Sequence, residues 1–236
     1  MSIINGLSDQ KGIQVLNAGI ANNSTEAQHR TDILYHTNGN VYCVISQSFS
    51  NAVTQKRLYL YRSTDDGNTW TLITNLTTGS VDDCPTLIQL DITDPLSDIG
   101  IVFLRMASTI TSSGTVYRMA CDVDGIETVP ADPITGSPTT TSRPCIIPLS
   151  VGYRIIYSAA KSSSNAVTIY ENTSFSLNSW SFVGNVNVLN SLTPGYLCRL
   201  RKLVNGDTLA VFVSRTQLDG GSNANGLFDN VRTDLS

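Results

Sequence analysis

The chain has 236 residues, with 15 Lys and Arg against 19 Asp and Glu, a formal net charge of −4 and a sequence pI of about 5.0. That length can bury a sizeable core in one or two domains, and the acidic balance excludes the charge footprint of a nucleic-acid-binding protein. Hydrophobic residues make up 41% and charged residues 14%, so the chain reads as folded and turn-rich, not disordered, and no apolar run reaches the roughly 18 residues that span a bilayer.

The start of the chain, Met1 to Gly6, lacks a basic segment followed by an apolar one, so no signal peptide is visible. An extracellular or virion-surface location is expected. A secreted form would have lost its signal, and a virion protein would need none. Residues 12–17 read as a lone outer strand. Strand-like runs then recur in a fixed order. Residues 32–35 pass through Asn38, Gly39 and Asn40 into 41–46, and Asn-Gly between apolar runs is a strong hairpin signal. A third strand is expected at 57–62 and a fourth near 70–75. The second round is 85–90, 101–104, 115–121 and 126–130, and the third is 146–149, 153–157, 166–171 and 180–186. The last round is 199–204, 208–213 and 227–232.

Alignment of the rounds on their first strand puts Arg30, Asp82, Arg143 and Tyr196 in one column, at separations of 52, 61 and 53 residues. Such periods match one four-stranded blade of a β-propeller. The expectation is therefore all-β: one propeller of four-stranded antiparallel blades over 1–236, with repeats near 30–80, 82–140, 143–192 and 196–236 and with 11–19 as closing strand. Four blades are expected, or else a piece of a six-bladed ring.

The residues Tyr61 to Trp70 carry a specific motif. Ser63, Asp65, Gly67, Thr69 and Trp70 form Ser-x-Asp-x-Gly-x-Thr-Trp between two strands. Asp there bonds nearby backbone N–H groups, Gly accepts positive φ, and Trp packs between sheets. The motif resembles the Asp-box, or BNR repeat, of sialidase-type β-propellers. The resemblance implies a structural turn at Asp65, away from the ligand face.

In a propeller the leading ends of the innermost strands and the trailing ends of the second strands share one face. That face gathers Arg30, Asp82, Asp83, Arg143 and Tyr196 with Gln47, Arg105, Lys161 and Arg215. Arginine's planar fork suits carboxylates. The resemblance to sialidases makes Arg30, Arg143, Arg105 and Arg215 candidates for an acidic sugar's carboxylate, with Tyr196 as nucleophile and Asp82, Asp83 or Asp219 as acid. The alternative is that the arginines pair with Asp32, Asp82 or Asp83 and hold blades together. No glutamate falls opposite Tyr196, because Glu26, Glu127 and Glu171 lie elsewhere, and a phenol without a base is a poor nucleophile. Tyr196 then reads as a packing or sugar-stacking residue.

The Ser, Thr, Asn and Gly of loops 47–51, 107–114, 158–165 and 217–225 offer adaptable hydrogen bonds to glycan hydroxyls. The leading expectation is a non-enzymatic propeller that recognises a glycan or other surface ligand, set in a bacteriophage tail, fibre or virion surface. An exo-acting sialidase on acidic sugars is the first alternative. A structural assembly protein is the second. Other virion or surface proteins and an oligomer are candidate partners. No cofactor or metal is expected: the five cysteines, Cys43, Cys84, Cys121, Cys145 and Cys198, form no Cys-x-x-Cys pair, and His29 and His36 make no zinc pattern with them. Buried free thiols are the simplest state for them.

Overall fold

The apolar runs of this chain are too continuous for sheets with one wet face, and the structure shows why. A computed structural model describes residues 30–48, 56–78, 81–106, 114–134, 143–158, 166–176, 179–187, 194–202, 208–214 and 226–233. They form four antiparallel units. The first is β1 (Arg30–Tyr35), β2 (Val41–Ser48), β3 (Lys56–Ser63) and β4 (Thr71–Asn75). The second is β5 (Val81–Gln89), β6 (Ile99–Met106), β7 (Gly114–Cys121) and β8 (Glu127–Pro133). The third is β9 (Cys145–Pro148), β10 (Tyr153–Ser158), β11 (Ala166–Asn172) and β12 (Ser181–Asn187). The fourth has β13 (Pro194–Lys202), β14 (Thr208–Ser214) and β15 (Gly226–Thr233). Residues 11–19 lie outside the described residues.

Successive strand residues point to opposite faces, and the second unit uses both. Ile99, Ile101 and Phe103 join Tyr42, Val44, Leu58 and Leu60 of the first unit in one core. Val102, Leu104 and Met106 join Ile146, Ile155, Tyr170, Phe175 and Trp180 of the third unit in another. The innermost strands follow the same order: β1 packs on β5, β5 on β9 and β9 on β13.

The turn between β3 and β4 is built by its side chains. Asp65 accepts hydrogen bonds from the Thr69 backbone N–H and the Thr69 hydroxyl, at 2.8 and 2.7 Å. The first of these bonds, with the others, holds its carboxyl below the usual carboxylate range. Ser63 Oγ lies 2.7 Å from Asp65 Oδ1 and accepts the Gly67 N–H at 2.8 Å. Gly67 has φ +90°. Trp70 donates its indole N–H to the Gly67 carbonyl at 2.9 Å. Trp70 was expected to pack between sheets. It is half-buried against Cys43, Ile45, Tyr59 and Tyr61 of its own unit.

Two strands, β5 and β13, begin four or five residues earlier than the sequence reading places them, at Val81 against 85 and at Pro194 against 199. Proline has no N–H for the ladder, so Pro85 reads as a strand start. The structure instead carries β5 back to Val81 through an irregularity between Asp83 and Thr86, with Cys84 at φ +56°. β13 begins at Pro194, which puts Tyr196 inside the strand opposite Val213.

Outer turns also bind neighbouring units. Tyr42 donates to the Val123 carbonyl at 3.2 Å, and Arg62 pairs with Asp124 at 2.9 Å. Gly125 sits in that turn at φ +84°, where a Cβ would stand 2.7 Å from Ile73 and 2.8 Å from Thr74 of the first unit. Gly39 has the similar φ of +86° with nothing within 4 Å. Gly39→Ala therefore isolates the backbone cost, about 1–2 kcal/mol, and Gly125→Ala adds an overpacking cost of about 1–3 kcal/mol. Urea unfolding should rank the two variants in that order. Equal losses would mean that the Asp122–Ile126 turn does not press on the first unit.

Candidate functional site

Innermost strands that pack side by side bring their leading ends together, and there the chain's charges meet. Asp82, Asp83 and Asp32 are all buried. A buried charge needs a partner and hydrogen bonds, and each has them. Arg105 grips Asp82 with two parallel bonds, Nε to Oδ1 at 2.8 Å and Nη2 to Oδ2 at 3.0 Å. Its guanidinium lies 4.5 Å from the Tyr117 ring centroid. The Asp82 bond raises the Arg105 pKa further. Asp83 takes Lys56 Nζ at 3.0 Å on one oxygen and the Cys84 N–H at 2.8 Å on the other. Asp32 accepts the Leu87 N–H at 2.9 Å and faces Arg143 Nη2 at 3.2 Å.

Arg143 ties three units together. It stands just before β9 of the third unit. It donates to the Thr31 carbonyl of the first at 3.0 Å and to the Pro85 carbonyl of the second at 2.7 Å. Nε reaches Thr86 Oγ1 at 3.3 Å, and that hydroxyl donates to the Pro144 carbonyl at 2.6 Å.

The structure therefore brings Asp82, Asp83, Arg105 and Arg143 of the expected site to one end. The carboxylate partners of both arginines belong to the chain itself. Arg30 opens β1 opposite Ser46, and Tyr196 lies in β13, but their side chains fall outside the described residues, as do Arg215 and Asp219. Lys56 was missed. A lysine that opens a strand after a polar loop reads as solvated, and only the parallel pairing of Lys56 with Val81 buries it. The bulge did leave a signal, because a proline within a strand is found at its first residue, on an edge or at a bulge. Among the described residues no group of three His, Cys, Asp or Glu side chains is placed to hold a metal.

Cys43 and Cys121 are buried free thiols, and Cys84 and Cys145 are buried as well. Burial, with a smaller contribution from Asp32, pushes the Cys43 thiol up to about 12. Burial likewise pushes Cys121 up to about 12.

No protein-family model matches the chain, and no curated protein matches it. Solved structures do. An α-L-arabinofuranosidase from Fusarium graminearum superposes with a TM-score of 0.61 at 13% identity, over 82% of this chain and 59% of that one. An endo-arabinase from Bacteroides thetaiotaomicron gives 0.58 at 15% identity, over 87% and 75%. An α-L-arabinanase from Penicillium chrysogenum gives 0.55 at 16%, over 79% and 57%. The chain thus spans less than two thirds of the length of the first and third.

Two expectations are corrected. These neighbours are propellers of the arabinanase kind, not sialidase BNR repeats. They are also glycoside hydrolases, which overturns the reading of a non-enzymatic recognition propeller on a virion surface and gives the sialidase alternative no support.

Two predictions arise from this site. Arg143→Ala removes the ion pair to buried Asp32 and leaves two carbonyls short of a donor, and should cost about 3 kcal/mol in chemical unfolding. Arg143→Lys restores the charge but not the fork, so it should recover less than half of that. Full recovery with lysine would show that charge alone matters. In the folded chain, Cys43 and Cys121 should resist iodoacetamide at pH 8.5 and react once unfolded, because the thiolate is the nucleophile. Both thiols keep in the folded state a proton that the unfolded chain releases near 9.0. Their contribution to stability is therefore complete below that pH and declines as pH climbs toward about 12. Rapid native alkylation would contradict the burial. At 13 to 16% identity, what the superpositions show is the fold: this chain is a β-propeller.

Proposed function

We propose that this propeller is a glycoside hydrolase acting on a neutral glycan, with arabinan-type polysaccharide as the first substrate to try. The observation that carries the reading is the gathering of Asp32, Asp82 and Asp83 at the leading ends of β1 and β5, in a fold shared with arabinan-degrading enzymes. Glycosidic cleavage commonly uses two carboxyl groups. One, protonated, gives its proton to the leaving oxygen. The other, ionised, activates water or attacks the sugar. Asp32, Asp82 and Asp83, each facing a cation of the chain, suit the second role and the stabilisation of positive charge on the sugar ring. The grouping of the antiparallel pairings into three units of four strands and one of three supports four blades within this chain.

The test is release of reducing sugar from arabinan, xylan, galactan and mannan, with a fluorogenic sialoside as control. Turnover of at least one neutral polysaccharide is expected. Asp32→Asn should lower kcat by about 10²–10⁴-fold, the usual worth of a catalytic acid or base, with folding checked by circular dichroism. A chain that leaves the whole panel intact, or that cleaves only the sialoside, would sink the proposal.

A further inference from the structure

The first and second units are bonded to each other at both ends. At the leading end Lys56 reaches Asp83. At the turn end, where the first turn of each unit returns the innermost strand to the second, Thr37 N–H donates to Gln89 Oε1 at 3.0 Å and His36 Nε2 lies 3.0 Å from the Ser97 carbonyl. His36, Gln89 and Ser97 are buried in these contacts, while Ile92 and Leu96 stand exposed beside Asp91 and Asp94. Between the outer strands of the two units the packing opens instead. Glu127 pairs across the ladder with Cys121, and such partners share a face. Cys121 is fully buried in the core between the units, yet Glu127 is exposed. The sheets therefore part at this pair, and they leave a cavity of about 300 Å³.

Met119 and Cys121 of β7, both members of the shared apolar core, form its floor. Thr74, Asn75 and Leu76 of the first unit make one wall, and Gly125 and Glu127 of the second make the other. The second wall is held rigidly. The Asp122 carboxylate accepts the Asp124 and Ile126 N–H groups at 3.0 and 2.8 Å, and Arg62 of the first unit pairs with Asp124. Ligand sites are usually preformed clefts with an apolar lining and a few polar groups, and about 300 Å³ is the lower end of their size range. The polar side chains in this lining are Glu127, Thr74 and Asn75, with no cation among them. Within the described residues Glu127 has neither an ion pair nor a hydrogen bond. Thr74 shares the face of its partner Leu60, a member of the core between the units, so its side chain is turned toward the second unit. A carboxylate accepts several donors at once, and a threonine hydroxyl donates or accepts. These groups suit the hydroxyls of a sugar, and the apolar atoms of Leu76 and Met119 suit its C–H face. A metal ion is a poorer fit, because among the described residues no group of three His, Cys, Asp or Glu side chains is placed to hold one.

We infer that this cavity binds one neutral sugar unit of the polysaccharide, as a subsite remote from the bond that is cut. The inference rests on the reading of the chain as a hydrolase of neutral glycans. Arg105 of the leading end pairs with Thr115, and Cys121 lies six residues further along β7, about 20 Å at the rise of a strand. A glycan held in the cavity therefore runs several sugar units along the flank to reach the aspartates.

The test is NMR of the full chain labelled at its methionine methyls. Met119 reports the cavity floor, and Met106, at the end of β6, reports the leading end. Titration with L-arabinose, D-xylose, D-galactose and D-mannose should move the Met119 signal saturably for at least one sugar. Glu127→Ala should weaken that binding about tenfold, the usual contribution of a hydrogen bond to a charged group. It should leave thermal unfolding unchanged, because the Glu127 side chain is exposed. On the matching polysaccharide the same variant should raise KM about tenfold with kcat unchanged, the pattern of lost uniform binding, and it should leave KM for a short aryl glycoside as it was. A Met119 signal that no sugar of the panel moves overturns the inference. So does a shift that survives Glu127→Ala, or one that butylammonium produces equally well. Sugar binding at Met119 with every polysaccharide left intact would sink only the hydrolase reading. Hydrolysis with a silent Met119 would sink only this one.

Discussion

A sheet that is apolar on both faces cannot stand alone in water. In the second unit Phe103 faces one way and Leu104 the other, and both are fully buried. Fully burying such a side chain contributes about 1.5–3 kcal/mol. Ordering each backbone residue costs about 1–2 kcal/mol. A single four-stranded unit, with both faces wet, loses that balance. The units are stable only when stacked face to face, and stacking sets everything downstream. It brings the innermost strands side by side and makes their leading ends neighbours.

Apolar packing is non-directional, so it leaves the units free to slide. The ion pairs at the leading end remove that freedom, because charge-assisted hydrogen bonds have fixed lengths and angles. Arg143 ties β1, β5 and the segment before β9 to one guanidinium. Arg105 fixes β6 to β5 within the second unit, and Lys56 fixes β3 of the first unit to β5. Buried ion pairs are weak evidence for net stability. Here their effect is geometric, since they hold three aspartates at defined positions where neighbouring strands meet.

The strands were legible because period and turn chemistry are local. Each predicted run from residue 32 onward overlaps an observed strand, and Gly39, Gly67, Gly125 and Gly152 all take the positive φ that their turns require. The site was half legible. Arginines at a rim show donors, but the fork that grips a ligand carboxylate grips Asp82 equally well, and nothing within the chain's local pattern says which it meets. The burial of Lys56 depends on a contact between units, which no local window contains. The functional reading went astray for a different reason. It asked for a tyrosine and a glutamate because the Asp-box resembles a sialidase, and counted their absence against catalysis. In a plan that needs only carboxyl groups, that absence carries no weight.

The two ends of the propeller have opposite characters, and one cause accounts for both. At the leading end, polar and charged groups are turned inward and matched within the chain. The chain has only 15 Lys and Arg, and Lys56, Arg105 and Arg143 are committed there to Asp83, Asp82 and Asp32. The turn end of the first three units is then left with exposed aspartates and few cations to balance them. Buried Gln89, Ser97 and His36 hold those turns rigid, so the apolar tips beside the aspartates are fixed in place and cannot fold back on themselves. A rigid acidic and apolar surface at the turn end of the first three units gives the molecule a direction.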